Sequence, residues 1–168
     1  MKKVGIIMGS DSDFPVVEKA VTTLKEYGIP CSVHVYSAHR TPVEAASFAK
    51  NARKDGYGAI ICAAGMAAHL AGAIAANTTL PVIGIPIRAK ALDGMDALLS
   101  TVMMPPGIPV ATVGIDAAQN AALIAAEILS VGDEALAIKL QEARDKKAAN
   151  ILEKDKALSE QYSTAEEA

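Results

Sequence analysis

The apolar positions fall into short blocks whose period changes along the chain. Val4 to Met8 is an unbroken apolar run, the pattern of a strand buried on both faces. It stops at Gly9-Ser10-Asp11-Ser12-Asp13. From Asp13 to about Tyr27, Val16, Val17, Ala20, Val21 and Leu24 recur at helical spacing, with Ser12 or Asp13 as the expected N-cap and Gly28 as the stop. Ser32 to Tyr36 alternates as a strand, and Ser37-Ala38-His39-Arg40-Thr41-Pro42 follows it. Thr41 is expected to cap a second helix, with Pro42 in its first turn, running through Val43, Ala46, Phe48 and Ala49 to about Lys54.

Ala59 to Ala63 reads as a third strand, and Gly65 to Leu70 opens a third helix reaching roughly to Asn77. Pro81 to Ile85 is a fourth strand and Ala91 to Val102 a helix. After the loop Met103 to Pro109 come a fifth strand, Val110 to Gly114, and an Ala-rich helix, Asp116 to Leu129. The charged segment Asp133 to Gln161 carries Leu136, Leu140, Ala143, Ile151 and Leu152 as a partial apolar stripe. It predicts a long helix packed on a neighbouring element or subunit. Residues 163–168 are expected to be a disordered tail.

Strands that alternate with helices and are apolar on both faces imply a parallel sheet covered on both sides. The expected fold is α/β: a three-layer α/β/α sandwich around a central parallel sheet, flavodoxin-like, with an added C-terminal helix, residues 1–162 forming a single domain. Ligands of such sheets sit beyond the carboxyl ends of the strands. The polar segments Gly9 to Asp13, Ser37 to Arg40 and Gly65 to His69 all fall there, which points to one shared site.

Composition narrows the partners. The 168 residues carry 16 Lys and Arg against 19 Asp and Glu, a net charge of −3. Without a basic excess or stripe, a nucleic-acid polymer is not an expected partner, whereas a small anion is. Hydrophobic residues make up 51% of the chain but aromatic ones only 4%, and Ala supplies much of the remainder. At about 25 cal/mol per Å², small side chains gain little from burial within one subunit, so burial between subunits is expected to supplement it.

From Ala59 to Ile87 no residue has a formal charge, His69 aside. Gly65, Gly72, Asn77-Thr78-Thr79 and Pro81 nevertheless divide this stretch into strand, loop, helix and strand, so no membrane association is expected. The apolar run after Met1-Lys2-Lys3 is too short for a signal peptide. Cys31 and Cys62 have no zinc or CxxC spacing and read as reduced thiols of a cytoplasmic protein.

The polar segments carry the candidate chemistry. Ser10, Ser12 and the N–H groups of the following helix suit a phosphate, and Asp13 suits sugar hydroxyls. An ordinary capped strand-to-helix turn is the plainer alternative. The guanidinium of Arg40 can pair with a phosphate. His39 is an imidazole, a group whose ordinary pKa of about 6.5 suits proton exchange near neutrality. A surface Arg and a solvated His are the alternative there. Gly65 allows close approach of a planar ligand, and His69, on an Ala-rich helix start, is either a structural histidine or a second proton carrier. His34, His39 and His69 have no metal-ligand spacing. Met103 and Met104 either line a pocket or fill core space.

Taken together, MGSDSD (Met8 to Asp13), SAHRTP (Ser37 to Pro42), AGMAAHL (Ala64 to Leu70), LPVIGIPI (Leu80 to Ile87), LDGMDALLS (Leu92 to Ser100), MPPGIPVATVGI (Met104 to Ile115) and NAALIAAEIL (Asn120 to Leu129) resemble the N5-carboxyaminoimidazole ribonucleotide mutase family, the catalytic-subunit type of phosphoribosylaminoimidazole carboxylase. The resemblance implies an enzyme that moves a carboxyl group within an aminoimidazole ribonucleotide, without metal or organic cofactor. It implies an octamer, and a functional link to an ATP-dependent carboxyaminoimidazole ribonucleotide synthetase. It further implies His39 as general acid and base, phosphate contacts from Ser12, Ser37 and Arg40, and Asp13 on the ribose. Ser10 and the backbone at Ala64 and Gly65 would face the base and the migrating carboxylate, with Met66, His69 and Leu70 completing the substrate contacts. The alternatives are a carboxylase that takes free CO2 and, from another class, a flavodoxin-like binding module. Four positions depart from the family's commonest residues: Phe14 for Trp, Met66 for Gly, Ala71 for Pro and Met103 for Gln.

Overall fold

The computed structural model describes residues 1–163, so the tail expectation, Ser163 apart, lies outside the described residues. Strands β1 (Lys3–Met8), β2 (Cys31–Val35), β3 (Tyr57–Gly65), β4 (Val82–Ile87) and β5 (Ala111–Thr112) form one sheet in the order β2-β1-β3-β4-β5. Every pairing is parallel. Helices α1 (Phe14–Glu26), α2 (Pro42–Ala52), α3 (Leu70–Ala75), α4 (Met95–Val102), α5 (Ala118–Ser130) and α6 (Glu134–Tyr162) complete the chain, with a short 3₁₀ turn at Asp11–Asp13. This is the flavodoxin-like strand order.

The continuous apolar runs have the physical cause expected of them. Val4, Ile6 and Met8 of β1, Ala59, Ile61 and Ala63 of β3, and Ile83, Ile85 and Ile87 of β4 form one core with α1, α5 and the start of α6. The intervening residues Ile7, Ile60, Cys62 and Val82 form a second core with α2 and α3 on the opposite face. Burial pushes the Cys62 thiol up, far outside its ordinary range. Leu136 and Leu140 are the buried residues of α6, whose Asp133 cap accepts a hydrogen bond from the Leu136 N–H at 3.1 Å. Farther along α6, Ile151 and Leu152 are exposed.

Several boundaries differ from the sequence expectation, mostly where a residue other than Gly adopts a left-handed conformation. β3 continues to Gly65 and α3 starts only at Leu70, because Met66 sits at φ 55° and interrupts any helix there. Asp93 at φ 53° and Gly94 at φ 89° delay α4 to Met95, and Asp116 at φ 57° delays α5 to Ala118. β5 shrinks to two residues, pairing only through Ile83↔Ala111 and Gly84↔Thr112. The capping expectations are corrected too. Neither Asp13 nor Thr41 caps its helix through its side chain. The Thr41 hydroxyl instead turns back to accept from the Ser37 N–H at 2.8 Å. Gly28, at φ 73°, follows the end of α1 as expected.

Gly84 lets α4 lie close on the sheet, since a Cβ there would stand 2.3 Å from Cγ2 of Thr101 and 3.2 Å from Cγ1 of Val110. Gly84→Ala is therefore expected to destabilise the fold by about 1–3 kcal/mol through overpacking, read as a lower denaturation midpoint in urea.

Candidate active site

The parallel ladder brings the carboxyl ends of β1 to β4 to one edge of the sheet. A cavity of about 570 Å³ opens there. Its walls come from Gly9, Ser10, Ser12 and Asp13 after β1, from Ser37 to Arg40 after β2, and from Ala64 to Ala67, His69 and Leu70 after β3. The candidates in the three polar segments all line this one space, which lies at the switch point where the strand order reverses. A larger groove of about 990 Å³ lies near the start of β4, beside Lys50, Arg53 and Gly107 to Pro109, away from these segments.

The first wall is built by hydroxyls that hold one another. The Ser12 hydroxyl donates to Ser10 Oγ at 2.8 Å, and the Ser12 N–H points at the same oxygen at 3.3 Å. Gly9 does not adopt a positive φ. A Cβ there would meet nothing closer than 4.0 Å, and the missing side chain leaves the cavity wall open. Asp13 is buried beneath this segment. Burial raises its carboxyl above the ordinary 3.8, against the opposing pull of hydrogen bonds from the Ser10 backbone and Ser12 side chain and of the Arg40 charge.

The second wall turns on Ser37. Its hydroxyl oxygen accepts from the N–H groups of His39 at 3.3 Å and Arg40 at 3.2 Å. Both lone pairs are thereby engaged and its O–H is left to donate elsewhere. Arg40 then reaches across to the first wall, where Nη2 donates to the Gly9 carbonyl at 2.6 Å. Among the described residues its other side-chain N–H groups have no hydrogen-bond partner.

His39 and His69, thirty positions apart in sequence, meet across the cavity. Nε2 of His39 lies 2.9 Å from Nδ1 of His69, and the rings stand edge to face with centroids 4.9 Å apart. One nitrogen of the contact must carry a proton and the other a lone pair. His69 is held at the head of α3, its N–H donating to the Ala67 carbonyl at 2.8 Å. The strained Met66 precedes it. Its φ of 55° is one that L-residues seldom adopt. Gly65 sits tight against β4, where a Cβ would be 3.2 Å from the Ile87 carbonyl oxygen.

The remaining candidates lie elsewhere. His34 bonds Ser32 Oγ at 3.1 Å and stacks on Tyr36, and burial lowers its pKa. Met103 is exposed, so it does not fill core space. Met104 packs over Gly72. Among the described residues no cluster of His, Cys, Asp and Glu is arranged to hold a metal ion.

Sequence reasoning missed the fourth wall: Ile87, Arg88 and Ala89, at the end of β4. The available signal was that Arg88 is the first charge after the long uncharged stretch. It is paired with Asp93 at 2.6 Å and Asp116 at 3.4 Å, two carboxylates that raise its pKa.

Comparison with known proteins agrees with this geometry. A family model described as AIR carboxylase matches residues 3–150. N5-carboxyaminoimidazole ribonucleotide mutase of Pyrococcus abyssi is 54% identical over 145 residues, covering 86% of this chain and 83% of that protein. The protein of the same name from Methanocaldococcus jannaschii is 53% identical over 157 residues, covering 94% of this chain and 98% of its own length. Among solved structures, Treponema denticola PurE matches with a TM-score of 0.85 at 33% identity, over 92% of this chain and 97% of that one. With a family model matched over most of its length and relatives above half identity, the chain belongs to the AIR carboxylase family.

Proposed function

We propose that this protein is an isomerase of de novo purine biosynthesis that converts N5-carboxyaminoimidazole ribonucleotide into 4-carboxyaminoimidazole ribonucleotide. The observation that carries the reading is the His39–His69 contact of 2.9 Å, in a cavity whose other walls present Arg40, Ser12 and Ser37. A proton carrier and an anion-binding wall face one space, as the reaction requires. The names of the similar mutases point the same way.

The protein's part in the chemistry is proton management. His39 delivers a proton to the exocyclic nitrogen of the carbamate. The nitrogen–carbon bond breaks with its electron pair staying on nitrogen, and CO2 is released inside the cavity. Carbon 4 of the electron-rich imidazole attacks that CO2 and forms the new carbon–carbon bond. The ring proton at carbon 4 then returns to His39 and restores aromaticity. One proton is lent and recovered, so the sequence balances without ATP, redox equivalents or a metal. Confinement by Ala64, Gly65, Met66 and Leu70 keeps CO2 near its acceptor. Arg40, Ser12 and Ser37 hold the phosphate, the Ser12 hydroxyl exchanging its Ser10 partner for a phosphate oxygen. Asp13 accepts from the ribose, and Ser10 faces the base.

Residues 1–162 act as one catalytic unit in this reading. Burial between copies, which the octamer of this reading requires, is supported by the apolar side chains that α4 leaves exposed, Met95, Leu99 and Val102. A cytoplasmic setting is supported by the two free thiols Cys31 and Cys62. Among the described residues no helix is long and apolar enough to cross a membrane. An ATP-dependent carboxyaminoimidazole ribonucleotide synthetase supplies the substrate.

The deciding experiment follows the C-carboxylated product from the N-carboxylated ribonucleotide without ATP or added metal. No product there, with turnover of aminoimidazole ribonucleotide and CO2 instead, would replace the mutase by the carboxylase. His39→Asn is expected to lower kcat by about 10²–10⁴-fold while ligand affinity is kept, as measured by calorimetry. Near-normal turnover would remove His39 from the centre of the mechanism. Arg40→Ala is expected to weaken ribonucleotide binding by about 1.5–3 kcal/mol, and an unchanged affinity contradicts the phosphate assignment.

Asp13→Asn separates function from stability. A carboxyl whose folded pKa is raised stabilises the fold least once pH has risen past that value, so the charge is a burden at neutrality. The variant is expected to bind substrate less tightly yet melt higher than the parent at pH 7, with the gain shrinking toward pH 4. Paired thermal melts at the two pH values measure it.

A further inference from the structure

The wall that the sequence left out has a construction of its own. Arg88 leaves β4 at the cavity edge. Its backbone N–H donates to Asp116 Oδ1 at 3.0 Å, and the Asp116 N–H donates to the Pro86 carbonyl at 2.9 Å. Its side chain binds both Asp116, through Nε at 3.4 Å, and Asp93, through Nη1 at 2.6 Å. Among the described residues only Met66, Asp93 and Asp116 are non-glycine residues with positive φ. Two of these three strained positions are therefore the two carboxylates on one guanidinium, and the third lines the cavity itself. Such strain persists where surrounding contacts over-determine the backbone, and it concentrates at functional sites. The loop between Arg88 and Gly94 also folds back tightly on its own root, since a Cβ at Gly94 would stand 3.3 Å from Arg88 Cα and 2.8 Å from Ile115 Cγ2.

We infer that Arg88 is a positioning residue for the reaction: with Asp93 and Asp116 it latches the loop 88–94 in place as the fourth wall of the cavity. The kinetic part of this inference rests on the mutase reading; the latch does not. Exposed ion pairs are individually weak, but here one arginine joins three pieces of chain, the end of β4, the loop before α4 and the turn before α5. Releasing any one contact loosens the same wall. The latch acts on substrate capture and leaves proton transfer at His39 untouched.

The test uses the full chain with Arg88→Gln, Arg88→Lys, Asp93→Asn and Asp116→Asn, and the double variant Arg88→Gln with Asp93→Asn. Asn is tolerated at positive φ, so the aspartate variants keep the backbone shape and lose the charge. Hydrogen–deuterium exchange of peptides covering residues 88–94 is read without ligand, and KM and kcat are read on the N-carboxylated ribonucleotide. Arg88→Gln, Asp93→Asn and Asp116→Asn are each expected to speed exchange of the loop and raise KM by about fivefold, with kcat within about twofold of the parent. The double variant is expected to be no worse than Arg88→Gln, because the two changes break one unit. Arg88→Lys, which keeps the charge but loses the fork, is expected to recover part of the loss. Unchanged exchange in all variants overturns the latch. Faster exchange with unchanged KM overturns the positioning role. A raised KM in Arg88→Gln alone, with both aspartate variants like the parent, means Arg88 meets the ligand directly and also overturns the inference. A parent protein without turnover would sink the mutase reading, and the exchange data would still decide the latch.

Discussion

The backbone ladder that β3 makes with β1 on one side and β4 on the other is the constraint on which the rest depends. Its register sets Met8 beside Ala63 and Gly65 beside Ile87, so three strands end at nearly one level, β3 and β4 together and β1 two residues sooner. The Gly9 N–H extends the ladder by donating to the Ala63 carbonyl at 3.0 Å. Everything polar that matters leaves the sheet at that level. A shift of β3 by one residue would exchange its two buried faces, placing Ile60 and Cys62 where Ala59, Ile61 and Ala63 now pack. It would also part His69 from His39. Core packing and site geometry are thus the same requirement seen at two ends of a strand.

The site departs from the rules the core obeys. Its serines bond one another, a carboxyl is buried beside them, and a methionine holds a conformation that suits glycine. Each departure costs stability locally, and the apolar sheet beneath supplies the rigidity that maintains it. The small side chains of the walls belong to the same design. Ala64, Gly65 and Ala67 line the cavity without filling it.

Much of this was legible in the sequence because the informative pattern was local. An apolar run between turn residues specifies a buried strand, and the Ala-rich repeats specify helices that lie close to it. The polar segments could be assigned to one edge from the direction of a parallel sheet alone. The starts of α3, α4 and α5 were not legible, because Met66, Asp93 and Asp116 look like ordinary helix or cap residues until their left-handed backbone is seen. The short β5 was hidden for another reason: a run from Val110 to Gly114 has strand character, but pairing needs a neighbour, and only Ile83 and Gly84 provide one. The His39–His69 pair and the Arg88 network join residues about thirty positions apart, and no spacing rule in a single sequence links them.

Cys62 shows how differently the two ends of the strands meet their chemical surroundings. Its sulfur is enclosed in the core that the central strand shares with α2 and α3, and burial suppresses the thiolate that oxidants and electrophiles attack. While the fold is intact that sulfur is chemically silent. Oxidative damage at this position must therefore follow loss of the fold, not initiate it, so the interior ages only as fast as the molecule opens.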